Sequence, residues 1–551
     1  MQVVASTQTS NPHDPKSVNA SYSRISEAFR HVTAGPLQCQ VFCGGKSCKY
    51  ERSDVWASDQ MAIPGIFSHW VTENILAMAR PNYTEMKNHD MIQSFKKSGI
   101  TAVINLQEAG EHASCGNALH ASGFSYDPIE FMDNEIYYYN FNIQDYSVPL
   151  QRTLLDICKV VTFAQSEGKV AIHCHAGLGR TGVVIACFLV YHHKMKPKDA
   201  ILLVRKNRPR SIQTRNQLKA VFRFANFLSP LWIQFPASAP RGPGYNLEEI
   251  IANQKIVLHG IEGKTLKYIP KVVYLVCSWL MEQVGQSPSL LYKKIKQNHE
   301  IHRPVTCPSS YQKFDVEEND IDSLVGDECS VQEVEEMEKS MSTTLLRRAR
   351  SEESLSKILP AANPYGETTS ILELHNISDE TLSSIKEFLE GVSGKNLEKR
   401  DGESDLEMVI SQINVGIWES TSTLSPFQRG CLLRAWFTSI SKPVLSELEV
   451  EALLRKCDIR VRDEGETTPK YLERLANALD TLSPCLVATI HCLGTAFAML
   501  LYGPFQLKRG EVFSILRHLL TQKNDDGTKR MVPILTALLY SKRNEILRLR
   551  S

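Results

Sequence analysis

What the 551-residue sequence lacks narrows it first. It lacks a charge excess. The 62 Lys and Arg stand against 61 Asp and Glu, for a formal net charge of +1. Global charge therefore gives no reason to expect nucleic acid or an acidic surface as partner. It lacks a disulfide framework. The 14 Cys are scattered without framework spacing, which suits a reducing compartment better than a secreted one. No leader is expected from Met1 to Pro15, which is polar, with no basic stretch followed by an apolar run. It has one long uncharged run to weigh, Cys485 to Tyr502, which reaches the length of a membrane span. That run contains Thr489, His491, Cys492, Gly494 and Thr495 and lies between amphipathic helices. It reads as a buried bundle helix and not as a span. Apolar content of 42% allows large cores, and the length suggests three or four domains.

What is present is organised around His173-Cys174-His175-Ala176-Gly177-Leu178-Gly179-Arg180-Thr181-Gly182. Upstream, Lys169 to Ile172 reads as a short buried strand. Downstream, Val183 to Tyr191 is apolar and long enough for a buried helix. A tight loop between strand and helix turns successive N–H groups into one concavity, and the helix start adds its positive end. Such a loop binds a phosphate dianion. Gly177 and Gly179 let the backbone curl close to the anion.

The two ends of the loop carry the chemistry. A free thiol has a pKa of about 8.5, which a helix N-terminus and nearby cations lower. Cys174 stands where both act and is expected as a thiolate. Arg180 offers a planar fork to two phosphate oxygens, in substrate and in transition state. The Thr181 hydroxyl is placed to donate a hydrogen bond to the sulfur. His173 orients the loop through its imidazole. A lone Cys and Arg five residues apart would say little, but the strand, glycines, Arg-Thr-Gly and helix all agree.

His-Cys, five residues, Arg and Thr resembles the signature of cysteine-dependent protein tyrosine phosphatases. The Cys-x-Ala-Gly-x-Gly-Arg-Thr-Gly form is similar to the dual-specificity branch, near the mitotic-exit phosphatases and the phosphoinositide phosphatase tumour suppressor. The resemblance implies a metal-independent phosphomonoester hydrolase working through a cysteinyl-phosphate. Oxygens of the phosphate would be held by the backbone of His175, Ala176, Gly177, Leu178 and Gly179 and by Arg180. It also implies an acid on a mobile loop before the nucleophile. Asp145, in Gln-Asp-Tyr-Ser-Val-Pro, is the candidate, with Asp127 and Asp133 as fallbacks. A turn Asp capping the helix near Pro149 is the other reading. The Trp-Pro-Asp of tyrosine-specific enzymes is missing. A water-positioning Gln is implied about forty residues after the nucleophile. Gln217 is in register and Gln213 is second choice. Arg208, Arg210 and Arg215 are expected to make a basic pocket rim. His175 departs from the relatives, which carry Lys there, and so weakens a lipid substrate. No separate loop for phosphotyrosine depth is recognisable, so a shallow pocket for phosphoserine, phosphothreonine and phosphotyrosine is expected.

The expected fold is α/β, a mainly parallel sheet flanked by helices, followed by a disordered acidic linker and an all-α C-terminal region. Strands are expected at Asn74 to Pro81, Thr101 to Leu106, Tyr137 to Ile143 and Lys169 to Ile172. Helices are expected at Ser21 to Val32, Glu85 to Ser98, Ala113 to Ser122, Leu150 to Gln165, Pro197 to Asn207 and Asn216 to Leu228. Residues 1–20 read as disordered, 21–245 as the catalytic domain, and 246–302 as a helical extension packed on it. Residues 303–368 read as the linker, with eleven acidic residues and no basic one from Asp315 to Glu338. Ser351, after Arg347-Arg348-Ala349-Arg350, fits a basophilic kinase as well as it fits a solvated basic turn. Residues 369–551 read as a helical interaction domain with no internal repeat, no catalytic motif and no arginine finger.

Cys39, Cys43 and Cys48 are separated by three and four residues, with Gly44-Gly45 between. No fourth ligand sits at finger spacing, His69 being the candidate. They read as loop thiols, and no metal or cofactor is expected. Expected partners are phosphoprotein substrates and an unidentified protein for the C-terminal region, with no nucleic acid and no membrane. The resemblance implies a cytoplasmic place, at the centrosome or cilium base by analogy. The alternatives are a phosphoinositide phosphatase and a phosphoprotein-binding scaffold with little turnover.

Overall fold

The computed structural model describes residues 20–23, 26–27, 35–239, 244–291, 378–394, 403–456, 474, 477–479, 481–502, 505, 507–523, 534–539 and 542. The expected linker, Ser351 and most of the expected helix at Ser21 to Val32 lie outside these residues. So do parts of the helical region expected over 369–551. The chain divides into two compact units, broken between Leu228 and Ser229.

The first unit is built on five strands: β1 Ser68–Thr72, β2 Ile75–Met78, β3 Ile100–Asn105, β4 Tyr137–Asn140 and β5 Lys169–His173. Their order is β1-β2-β5-β3-β4. Only β1 and β2 are antiparallel. The expected mainly parallel sheet is therefore what forms, and β1 is an addition. Its neighbours Trp70 and Thr72 straddle a register shift, and its alternation is broken, so periodicity does not mark it. β2 is buried at every residue and β5 at all but its first, as expected for strands covered on both faces. Helices Gln151–Glu167, Gly179–His192 and Pro197–Asn207 supply apolar cover. Pro197 opens its helix at the position where a missing N–H costs nothing.

Register explains where the site forms. On β5, His173 pairs with Met78 of β2 and with Asn105 of β3. Asn105 in turn pairs with Asn140 of β4. Four parallel strands therefore end level, and the loops after Met78, Asn105, Asn140 and His173 leave from one edge. The single helix expected over Glu85 to Ser98 is two, Tyr83–Asn88 and Met91–Lys97. Asp90 between them has φ 45°, which breaks the helix. No helix forms at Ala113 to Ser122; turns occupy it.

The second unit is helical. Leu247–Val257 and Lys271–Gln283, within the expected helical extension, belong to this unit. Their buried residues, Ile250, Ile251, Val273, Cys277 and Leu280 among them, share one core with Phe388, Leu433, Trp436, Leu493 and Phe497. An amphipathic face shows that a helix needs a partner and leaves its identity open. The uncharged run forms Pro484–Tyr502, 19 residues long and 89% buried over its apolar window. It is a core helix of this unit, as expected.

Candidate active site

Cys174 follows β5, buried, and the chain then curls through Leu178 into the helix Gly179–His192. Gly177 has φ +66°, and a Cβ there would stand 1.9 Å from the Met78 carbonyl oxygen. Only glycine fits. The loop's carbonyls are held from outside. The Arg80 N–H donates to the His175 oxygen at 2.9 Å. Arg208 Nε donates to the Gly177 oxygen at 3.1 Å, and its Nη2 to the Ala176 oxygen at 3.0 Å. With the carbonyls turned outward, the N–H groups of His175 to Leu178 have no acceptor among the described residues. They form an anion nest at a helix N-terminus.

His173 braces the nucleophile's backbone. Its Nδ1 bonds the Cys174 carbonyl at 3.1 Å, and its Nε2 bonds the Tyr126 hydroxyl at 2.8 Å. Burial holds its pKa down to about 3. The neutral ring thus donates from Nδ1 and accepts at Nε2.

Arg180 crosses to the neighbouring loops. Its Nη1 donates to Glu111 Oε2 at 2.7 Å and to the Ile143 oxygen at 2.7 Å. Its Nη2 pairs with Glu111 Oε1 and lies 3.0 Å from Asp145 Oδ1. Asp145 Oδ2 is 3.1 Å from His112 Nε2. Burial works against the Asp145 charge, but Arg180 and His112 outweigh it and hold the carboxyl below its usual range. Burial likewise opposes charge on His112, yet its bonds to Asp145 and Cys39 raise its pKa to about 10. Glu111 and His112 are not marked by any motif. The one signal is the Glu-His pair ahead of Cys115, and His112 adopts φ 55° to present its ring.

Residues 83–227 match the family described as Dual specificity phosphatase, catalytic domain. The chain is 49% identical over 268 residues to bovine Protein tyrosine phosphatase domain-containing protein 1, covering 48% of this chain and 34% of that one. Residues 83–227 are thus similar to a dual specificity phosphatase catalytic domain. It is also 30% identical over 150 residues to human Dual specificity protein phosphatase CDC14C, covering 27% of this chain and 29% of that one. The crystal structure of Tk-PTP in the active form is 21% identical with TM-score 0.24, over 29% of this chain and 96% of that one. The matched part spans about a third of the bovine relative's length.

In the matched segment and beside it the other expected residues fall into two groups. Gln217 is brought to the loop. A Cβ on Gly179 would lie 2.8 Å from Gln217 Nε2 and 3.2 Å from Gln213 Oε1. Gln217 Oε1 is held by the Gln213 and Thr214 N–H groups at 2.8 and 3.3 Å, which aims the amide nitrogen at the loop. Two expectations fail. Thr181 is buried, but its hydroxyl has no partner, so the bond to the Cys174 sulfur is not formed. Arg208 is no rim residue. It is fully buried, and burial lowers its pKa to about 9. Arg215 is tied to Glu27 at 3.5 Å. Of the three rim arginines only Arg210 is exposed without such a tie. Asp127 accepts the Ile129 N–H in a local turn and Asp133 ends the short helix Ile129–Met132.

His175 turns away from the mouth. Its ring stacks on His112 at 3.9 Å, and its Nε2 is 3.5 Å from Cys48 Sγ. Burial, with the His112 charge beside it, lowers its pKa to about 3. Cys39, Cys43 and Cys48 are brought together with Cys115, His112 and His175. The expected companion His69 is elsewhere, 2.6 Å from Arg208 Nη1.

Proposed function

We propose that the chain hydrolyses phosphate monoesters on proteins, on tyrosine and on serine or threonine, through a cysteinyl-phosphate. The observation that carries this is the loop itself: four free N–H groups and the Arg180 fork around one buried cysteine. The Cys174 sulfur attacks phosphorus, forming S–P as the ester P–O bond breaks. The leaving oxygen takes its proton from Asp145. A water, aligned by Gln217, then gives that proton back to Asp145 and its oxygen to phosphorus, freeing the thiolate and phosphate.

Substrate arrival changes Asp145. At rest Glu111 and Asp145 occupy Arg180. A phosphate dianion competes for the same guanidinium. Asp145 then loses a cation and gains an anion as neighbour, and both raise its pKa. The acid is thus protonated when it is needed. Protein substrates are favoured because His175 is neutral and inward and Arg208 is buried, which removes two cations that a headgroup would meet.

The test is phosphate release from a mixed phosphopeptide library and from phosphoinositide vesicles, with Cys174→Ser as blank. Peptide turnover alone is the expected result. Lipid turnover alone overturns the substrate class. No turnover by folded, reduced protein overturns the enzyme reading in favour of a phosphoprotein-binding module.

A further inference from the structure

Three stretches far apart in sequence meet beside the phosphate loop. The first is Gly35–Phe42 with the turn to Cys48, the second is 112–115, and the third is His175. The donor atoms of Cys43, Cys48, Cys115 and His175 all lie within 4.8 Å of one another. All four side chains are buried, Cys48 and Cys115 completely. Cys43 Sγ is 3.1 Å from Cys115 Sγ, and Cys48 Sγ is 3.5 Å from His175 Nε2. A tetrahedral zinc site has Zn–S of about 2.3 Å and Zn–N of about 2.0 Å, hence ligand separations of about 3.5 Å. Three thiols and one neutral imidazole at such spacing are a soft, closed donor set.

We propose that Cys43, Cys48, Cys115 and His175 bind one zinc-type divalent cation. The backbone is shaped for it. Gly44 and Gly45, at φ +100° and +55°, turn the chain between Cys43 and Cys48 so that both sulfurs face one point. The Gly116 N–H bonds the Gly45 oxygen at 2.9 Å, joining the first stretch to the second. Three thiolates exceed the charge of a divalent cation by one. Arg80, paired with Glu51, holds the backbone beside the site, donating from Nη2 to the Cys115 oxygen at 3.0 Å. Cys39, 3.2 Å from His112 Nδ1, forms with His112 and Cys115 an adjoining group whose donor atoms also lie within 4.8 Å of one another, which makes it the competing ligand that the test must exclude. Such an ion would fix His175, the residue after the nucleophile, to two other chain segments. The site is structural in kind, with no open coordination position. The inference rests on these four donors and not on the phosphatase reading.

The experiment is metal content by elemental mass spectrometry on the full chain, purified reduced and without chelator. About one zinc per chain is expected, retained in Cys39→Ser and lost in Cys48→Ser and Cys115→Ser. Unfolding of those variants is controlled by titrating chelated wild-type protein with cobalt(II). Intense visible bands of tetrahedral thiolate coordination should appear at one equivalent, and His175→Ala should shift them. No metal at purification and no cobalt spectrum overturns the site. Metal lost in Cys39→Ser but kept in His175→Ala overturns this ligand set. A Cys43–Cys115 disulfide in reduced preparations overturns it too. None of these readouts depends on turnover.

Discussion

The two units handle buried polarity in opposite ways. The first buries Glu51, Arg80, His173, His175, Arg180 and Arg208 around one sheet edge. Each is bonded: Arg80 Nε meets Glu51 Oε1 at 2.7 Å, and Asn117 N–H meets Glu51 Oε2 at 3.0 Å. The second buries a nearly apolar core in which Phe388, Phe497 and Trp436 dominate. Its helices Asp379–Ser393 and Pro426–Ser439 touch backbone to backbone, since a Cβ on Gly430 would lie 2.2 Å from the Phe388 oxygen. Buried charge is expensive unless paired, and gives little net stability even when paired. The first unit gathers its buried charges beside the loop, whereas the second relies mainly on apolar packing, with single polar clamps such as Gln254 on the Leu266 and Ile269 carbonyls at 2.9 Å.

The comparison breaks most visibly at the charged side. Arg180→Ala should lower kcat/KM on an aryl phosphate by about 10³-fold or more, with circular dichroism unchanged. Arg180→Lys should recover little, because a point charge cannot replace the fork. Asp145→Ala should cost about 10²- to 10⁴-fold on phosphopeptides and much less on a good leaving group. Equal loss on both would point to another acid. The pH profile sharpens this. A carboxyl held low by Arg180 and His112 is ionised in the free protein, so kcat/KM should fall as pH rises, up to tenfold per unit. Asp145→Asn should flatten that limb. At the apolar side, Phe497→Ala should cost the helical unit about 3–5 kcal/mol by denaturant unfolding. Catalysis should stay at the wild-type rate. Gly177→Ala should reverse the pattern. It forces the loop off the Met78 carbonyl, so phosphate affinity should drop while the helical unit's transition does not move.

Legibility followed the same division. The loop from His173 to Thr181 is contiguous, so its residues reveal its chemistry together. Asp145 and Gln217 are reached only through the family resemblance, at the distances from the loop that it implies. Glu111, His112 and Arg80 act only through the level ending of β2, β3 and β5, which no local pattern displays. Arg208 misleads because an arginine beside Pro209 and Arg210 looks solvated. Its fork is instead held by the Gly177 and Ala176 carbonyls, while its guanidinium lies 3.8 Å over the Phe67 ring. The helix Lys271–Gln283 is legible as a helix but not as to partner, since its apolar face fits any apolar surface.

The most direct test is rapid quenching of the full chain with a radiolabelled phosphopeptide. The account predicts transient label on the chain, approaching one phosphate per chain and absent from Cys174→Ser. Phosphate release with no label on the chain at any time, or label that survives Cys174→Ser, would contradict it.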